Sequence, residues 1–392
     1  MHNLGNYFLE FQNPNETNEY FNFDSLSNFE QTEFLTKKKV NGIVYFCFYL
    51  VNQKGKINEY LTDDIGIYEV WVTSLKKVLN YKNMAAQYKL IKNIGKGKFS
   101  QVYLVHDLIN NRDVAIKRID KRNLKHTDLE LIKTEVDILK ICQHPYVIKL
   151  YDIIETFGTF NIVLEYCKGG NFFDYAKNRE FNLTEAQIVS YIHKICEAVF
   201  TMHNLGIIHR DLKLSNIAMT DKDDNADIRI LDFGLSKILG PGEKCRESYG
   251  TPGYAAPEVI NETDYDYKAD IWTIGVIAYF LCSGKLPFDY FTDGTKQKDY
   301  IKNTLNDEVK FSGDKWNKFS DEAKKFVKDL MVKDISKRMN ITQVLEHEWI
   351  RSFYNDEVRK RKNSKKSKNS VNNNFSAFRL YAYNCLGKIN GN

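Results

Sequence analysis

His209-Arg210-Asp211-Leu212-Lys213-Leu214-Ser215-Asn216 is followed downstream by Asp232-Phe233-Gly234. These two short runs gather a specific set of functional groups. Asp211 is a carboxylate able to orient an attacking hydroxyl and accept its proton. Lys213 is a cation able to meet a transferring phosphoryl group. Asn216 and Asp232 are hard oxygen ligands of the kind Mg²⁺ takes beside substrate phosphates. Together they are the parts that phosphoryl transfer needs. The plain alternative is a polar loop before a strand and a turn. Asp-Phe-Gly alone would leave that open, whereas the joint spacing argues against it.

The order H-R-D-x-K-x-x-N then D-F-G resembles the catalytic loop and metal loop of eukaryotic protein kinases. Outward from it, Tyr88 to Ile94 reads as a strand, and Val102 to Val105 as the strand returning from Gly95-Lys96-Gly97-Lys98-Phe99-Ser100. Glycines let backbone approach phosphates closely and leave amides free to bind them. A hairpin between two strands separates this loop from a dinucleotide-binding turn, which leads into a helix. Ser100 stands where the third glycine of the kinase pattern would be. Val114-Ala115-Ile116-Lys117 matches the strand whose lysine holds the α/β-phosphates. Glu135 follows in an amphipathic helix with Leu131, Ile132, Val136, Ile138 and Leu139.

The resemblance covers about residues 88–350. It implies a bilobal α+β fold, a small β-rich lobe before a larger helical one. It further implies ATP held by Ile94, Gly95, Lys96, Gly97, Lys98, Phe99, Ser100, Gln101, Val102, Ala115 and Lys117. Backbone groups of Glu165 and Cys167 would meet the adenine. Asn216 and Asp232 would hold Mg²⁺, Lys117 would pair with Glu135 in the active state, and Asp211 and Lys213 would serve the chemistry.

In the second lobe, Asn182-Leu183-Thr184 with Glu185 reads as the start of a helix through Met202, with His193 and His203 as packing or capping residues. Gly250-Thr251-Pro252-Gly253-Tyr254-Ala255-Ala256-Pro257-Glu258 resembles the close of an activation segment. By the same resemblance Glu258 pairs with Arg338, and Asp270 anchors the catalytic loop from a buried helix. An unpaired buried carboxylate would be costly, which favours that role. Lys213 and the Thr251-Pro252 shelf argue for Ser/Thr acceptors, and Leu235 resembles kinases that favour Ser. Asn171, Ser215 and Phe280 occupy places where basophilic relatives carry acids, so an Arg-directed preference does not follow. Glu247 stands four residues before Thr251, where related kinases often carry a phosphorylatable Thr. A carboxylate there can pair with Arg210 and Lys237; phosphorylation of Ser248 is the rival. Gly169 to Asp174 and Ser283 to Phe288 look most like the calcium/calmodulin-dependent group. A pseudokinase scaffold is the alternative, against which Lys117, Asp211, Asn216 and Asp232 all stand. A metabolic kinase is disfavoured by the Thr-Pro shelf.

Before the kinase-like region, Ile43 to Val51 and Lys56 to Leu61 read as a strand hairpin. Thr62 or Asp63 reads as the cap of a helix with Trp71, Val72, Leu75, Val78 and Leu79 on one stripe. Strand, strand and a Trp-bearing helix resemble the end of a pleckstrin-homology (PH) domain, making residues 1–83 either a divergent or truncated PH domain or a small α/β extension. Its partner would be a phosphoinositide or a protein. Lys37-Lys38-Lys39 is the only nearby basic cluster that could meet a phosphoinositide, and it reads more readily as a solvated charged turn.

The chain has 392 residues and a net charge of +5. Residues 351–392 hold ten Lys/Arg against two Asp/Glu, so the basic character belongs to a tail and no specific nucleic-acid partner is expected. The tail reads as flexible, with autoinhibitory contact, calmodulin binding, membrane attraction, a nuclear signal or no function as its alternatives. Seven scattered cysteines without a C-x-x-C pair suggest free thiols, and the polar start is unlike a signal peptide. The expectation is a cytoplasmic protein, with recruitment to membranes or nucleus open.

Overall fold

The computed structural model describes residues 8–11, 19–22, 26–30, 36–52, 57–78, 84–97, 100–121, 124–155, 159–223, 226–288 and 297–352. The chain forms two compact units. The first is built from the chain up to His126 with Tyr151–Tyr166, the second from Thr127–Leu150 and the chain from Cys167 onward.

In the first unit, β1 (Phe8–Phe11) pairs with β2 (Glu19–Asn22). A second sheet holds β3 (Leu26–Glu30), β4 (Thr36–Val40), β5 (Ile43–Asn52) and β6 (Ile57–Thr62). β4 pairs with Ile43–Cys47 and β3 with Tyr49–Asn52, so these two strands lie end to end along one edge of β5. β6 takes the other edge. The β4–β5 turn uses Asn41 at φ 49° and Gly42 at φ 88°, the left-handed pair that suits a two-residue hairpin. Lys37-Lys38-Lys39 therefore lies on a strand, not in a turn. The helix α1 (Ile65–Val78) is capped by Asp64, not Thr62 or Asp63: its Oδ1 accepts from Gly66 N at 2.7 Å and Ile67 N at 3.1 Å. Among its described side chains, Tyr68 and Val72 are buried.

After the short helix α2 (Met84–Gln87) comes a five-stranded sheet of β7 (Tyr88–Lys96), β8 (Ser100–Asp107), β9 (Arg112–Asp120), β10 (Leu150–Glu155) and β11 (Thr159–Glu165). Its order is β10-β11-β9-β8-β7. The ladders of β9 with β8 and β11 are antiparallel and regular. Tyr88, Val105, Val114, Ile116, Ile154 and Val163 make one core, on which Met84, Tyr103 and Tyr151 pack. Burial pushes the Tyr88 hydroxyl up to about 12.

The second unit is mostly helical. It holds α3 (His126–Ile141, all but its first residue), α4 (Phe172–Lys177), α5 (Glu185–Asn204), α6 (Pro257–Ile260), α7 (Lys268–Ser283), α8 (Gln297–Asn306), α9 (Asp321–Leu330) and α10 (Ile341–Leu345). Two short antiparallel pairs carry the functional loops: β12 (Ile207–Ile208) with β15 (Lys237–Ile238), and β13 (Ile217–Met219) with β14 (Ile228–Ile230). Thr184 caps α5 in a capping box completed by Gln187. α7 is buried from Ala269 to Cys282 and ends at Gly284, φ 74°, where a left-handed residue stops the helix. α5 and α9 pack against this apolar rod, and α10 packs on α5. Among the described residues, no helix is long and apolar enough to cross a membrane.

Candidate active site

The catalytic loop leaves β12 at Ile208 and enters β13 at Ile217, so both of its ends are fixed in small sheets. Its backbone is held by Asp270 in the first turn of α7. That carboxylate accepts from His209 N at 3.0 Å, Arg210 N at 3.0 Å and His203 Nε2 at 3.0 Å. Although burial opposes ionisation, the His203 and His209 contacts hold the Asp270 carboxyl below its ordinary range. His209 Nε2 donates to Leu231 O at 3.1 Å while its Nδ1 accepts from Asp211 N at 3.3 Å, which sets the neutral tautomer with the proton on Nε2. Its ring lies 5.2 Å from that of the buried Phe233. The catalytic loop and the Asp-Phe-Gly loop are thereby joined through one imidazole.

Asp211 is buried at 8 % exposure, and its two oxygens are used differently. Oδ2 accepts from Lys213 Nζ at 2.7 Å and from Asn216 Nδ2 at 3.0 Å. Oδ1 accepts from Thr251 Oγ1 at 2.7 Å, and Thr251 Oγ1 in turn accepts from Lys213 Nζ at 2.6 Å. A carboxylate, a cation and a hydroxyl close a triangle, so the loop is organised to hold a hydroxyl against a base beside a positive charge.

Asn216 also donates its amide to Asp211 O at 2.9 Å. Its amide nitrogen is therefore turned inward, and Oδ1 is the atom available to a cation. Leu231 N donates to Asn216 O at 2.8 Å, bringing the Asp-Phe-Gly loop alongside. Asp232 has an exposed side chain and a left-handed backbone, φ 56°. A carboxylate and an amide oxygen on adjoining backbones fit a magnesium ion. Glu135 is buried on α3, with Oε2 3.7 Å from where a Cβ on Gly234 would stand.

The first unit carries the remaining expected residues. Lys117 sits on β9 between Val102 of β8 and Ile162 of β11, and Ala115 is buried two residues before it. Ile94, Gly95 and Lys96 end β7; Ser100, Gln101 and Val102 begin β8. Gly97 N donates to Ser100 O at 2.8 Å, and a Cβ on Gly97 would stand 2.6 Å from Ser100 Oγ, a side-chain tip that would have to turn away. Lys98 and Phe99 lie outside the described residues. Glu165 ends β11 in the first unit, and the half-buried Cys167 begins the second.

Some contributors were not evident in the sequence. Tyr265 is fully buried, exchanges backbone hydrogen bonds with Cys245 and donates its hydroxyl to Glu247 O at 2.7 Å. Ser236 donates to His209 O at 3.2 Å. His203, read as a packing or capping residue, is a ligand of the Asp270 anchor. Their partners lie 18, 27 and 67 positions away, where no local pattern points to them. The cluster Phe173, Phe181 and Phe280 explains one departure from the basophilic pattern, since Phe280 packs 5.2 Å from the Phe181 ring.

Residues 88–350 match the family described as Protein kinase domain. The chain is 38% identical over 265 residues to Myosin light chain kinase A of Dictyostelium discoideum, covering 68% of this chain and 88% of that protein. It is 34% identical to human Myosin light chain kinase family member 4, covering 70% of this chain and 69% of that one. With Calcium-dependent protein kinase 14 of Arabidopsis thaliana it shares 36% identity, covering 69% of this chain and half of the relative. Of rat Myosin light chain kinase 3 the chain spans 32%. The antiparallel sheet, the helical lobe with its anchored catalytic loop, and these relatives converge: the chain belongs to the protein kinase family and is a serine/threonine protein kinase, similar to myosin light chain kinases and a calcium-dependent protein kinase.

Proposed function

We propose that this kinase transfers the γ-phosphoryl of Mg-ATP to serine, in preference to threonine, on protein substrates. The observation that supports it best is the Thr251 hydroxyl held 2.7 Å from Asp211 Oδ1 and 2.6 Å from Lys213 Nζ. A hydroxyl from a substrate presented to the same two groups would be oriented by Asp211 and would give its proton to that carboxylate. Lys213 would balance charge on the phosphoryl oxygens as they pass. Asn216 Oδ1 and the Asp232 carboxylate would hold the magnesium, which when bound neutralises phosphate charge. Lys117 would hold the α/β-phosphates and pair with Glu135 in the active state, and the backbone of Ile94–Val102 would cover them.

Positioning and fixed charge supply most of the rate in this reading. Burial of Asp211 and its three hydrogen-bond partners fit that role, because a group already held in place is not reordered at the moment of reaction. The names of the relatives make a myosin light chain a natural first protein substrate to offer. A cytoplasmic setting, a lipid- or protein-binding role for residues 1–83 and a calmodulin-responsive or autoinhibitory tail belong to the same reading. From residue 353 onward the tail lies outside the described residues.

The deciding experiment is ³²P transfer from Mg-ATP to a mixed Ser/Thr peptide library by the full chain, beside Asp211→Asn. Transfer to serine peptides, lost by about a hundredfold or more in Asp211→Asn, is the expected result. Tight ATP binding with no transfer by the wild-type chain would replace this reading with a scaffold.

A further inference from the structure

The second unit holds a cavity of about 330 Å³ where the start of α5, the end of α7 and the turn before α9 meet. Phe181, Leu183, Cys282 and Phe319 give it an apolar wall, and the exposed Lys315 and Lys318 add two cations. The wall is fixed in place. Phe181 lies at φ 51°, directly after Glu180 at φ 54°, a left-handed pair that bulky residues seldom adopt. The amide of Glu180 donates to Lys177 O and that of Phe181 to Ala176 O, both at 2.8 Å. The Phe181 ring packs 5.2 Å from Phe280 and 6.0 Å from Phe173. Burial pushes the Cys282 thiol well above its ordinary range, so it serves as wall rather than nucleophile.

The charges around the cavity are unevenly used. Glu185 also lines it, but its carboxylate is taken up. Oε1 accepts from Ser320 Oγ at 2.5 Å and from Trp349 Nε1 at 2.7 Å, and Oε2 accepts from Ser320 N at 2.9 Å. Lys315 Nζ donates to Glu180 O at 3.2 Å, and among the described residues Lys318 has no ion pair. Two cations beside an aromatic hollow suit an apolar group followed by anions.

Trp349 brings the chain itself to this place, since its indole is bound to a lining residue. The described chain runs three residues further, to Ser352. Next come Phe353-Tyr354-Asn355-Asp356-Glu357, two aromatics and then two acids. Those acids are the two in residues 351–392, where Lys and Arg otherwise prevail. Five extended residues reach up to about 18 Å, ample for a start beside Glu185.

We propose that Phe353 and Tyr354 seat in this cavity, with Asp356 and Glu357 on Lys315 and Lys318. The basic run from Arg359 onward then departs from a fixed point on the second unit. This docking is independent of the catalytic reading, and its test requires no turnover.

Cys282 is the reporter. Full chains carrying Phe353→Cys, Tyr354→Cys or Ser364→Cys are oxidised with copper–phenanthroline, and linkages are mapped by mass spectrometry. A disulfide to Cys282 within one chain is expected from position 353 or 354 and not from 364. Equal linkage from 364, linkage from the native Cys385, or linkage between two chains would overturn the proposal, by seating the distal tail or a second copy there. Alkylation of Cys282 by N-ethylmaleimide measures shielding without any engineered thiol. Phe353→Ser combined with Tyr354→Ser should speed it several-fold, while the fully buried Cys196 stays unlabelled. Lys318→Glu should speed it as well, and adding Asp356→Lys with Glu357→Lys should slow it again. An unchanged rate in the aromatic double variant would overturn the docking, and no slowing on charge reversal would overturn the assignment of the acids to Lys315 and Lys318.

Discussion

Arg338 and Glu258 form a buried two-pronged pair: Nη1 to Oε1 is 2.5 Å and Nη2 to Oε2 is 2.9 Å, with the arginine side chain fully enclosed. The remaining donors of Arg338 reach Val332 O at 2.8 Å and Lys268 O at 2.9 Å, and Trp272 lies beneath its guanidinium. Each guanidinium nitrogen has a partner, so the pair ties the end of the activation segment at α6 to the loop before α10.

Removing one partner would strand the other. Arg338→Met is therefore expected to destabilise the second unit by about 3–5 kcal/mol. Glu258→Leu combined with Arg338→Met should recover part of that loss, since no lone charge remains buried. Urea denaturation of the two single variants and the double variant measures both effects. Additive losses would contradict a coupled pair.

Thr251 bridges Asp211 and Lys213 through one hydroxyl. Thr251→Ala should lower kcat about tenfold to a hundredfold, the loss expected from charge-assisted hydrogen bonds at a reacting centre. Thr251→Ser should keep most of the activity because it keeps the oxygen. Steady-state kinetics on one serine peptide distinguishes the two, with the change expected in kcat more than in KM for ATP.

Two titrating groups of the second unit pull stability in opposite directions. Burial and Arg229 lower His144 from 6.5 to about 4, and its Nδ1 accepts from Tyr146 N at 3.1 Å. The folded chain keeps this ring neutral while the unfolded chain protonates it, so its contribution is lost as pH falls from about 6.5 to about 4. Burial raises Glu197 from 4.5 to about 7 against the pull of Lys194. The folded chain then holds a proton that the unfolded chain has released, so stability falls as pH rises through that interval. Glu197→Gln should accordingly gain on the order of 1 kcal/mol at pH 7.5 and little at pH 4.5. His144→Gln should flatten the acid limb. Chemical denaturation across this pH range checks both signs.

Gly169 has no room for a side chain. A Cβ there would stand 2.1 Å from Asp221 O and 2.6 Å from Met219 Cβ, and backbone cannot yield as a side-chain tip can. Gly169 N also donates to Met219 O at 3.0 Å, so moving away breaks a hydrogen bond. Gly169→Ala should cost about 2 kcal/mol or more, like other overpacked sites, read as a lower melting temperature.

Much of the second unit was legible because its chemistry is written in short, dense runs. His209 to Asn216 and Asp232 to Gly234 fixed the identity of the loops. The need of a buried charge for a partner supported the anchoring role expected of Asp270, while the pairing of Glu258 with Arg338 was expected from the family resemblance alone. Contacts that depend on distant closure were not legible. Tyr265 gives no sign in sequence that it will meet Cys245, nor His203 that it will face Asp270. The β5–β6 hairpin was legible from its β-branched and aromatic run, whereas the strand before it was not, for a different reason. Lys37-Lys38-Lys39 has no alternation, so it carries no strand signal, yet β4 is held in place by its ladder with β5. At Thr62-Asp63-Asp64, three candidate caps stand in a row, and backbone geometry alone selects Asp64.

The carboxylate that steadies the catalytic loop is carried by α7, the most deeply enclosed helix described in the second unit. That placement couples function to the melting of the whole lobe. The loop cannot loosen on its own while α7 remains in place, because its amides are tied to the rod around which the lobe is packed. Heating should then extinguish turnover along the same curve that reports loss of helical signal, rather than at a lower temperature. Catalytic order in this kinase is in that sense a cooperative property of its core.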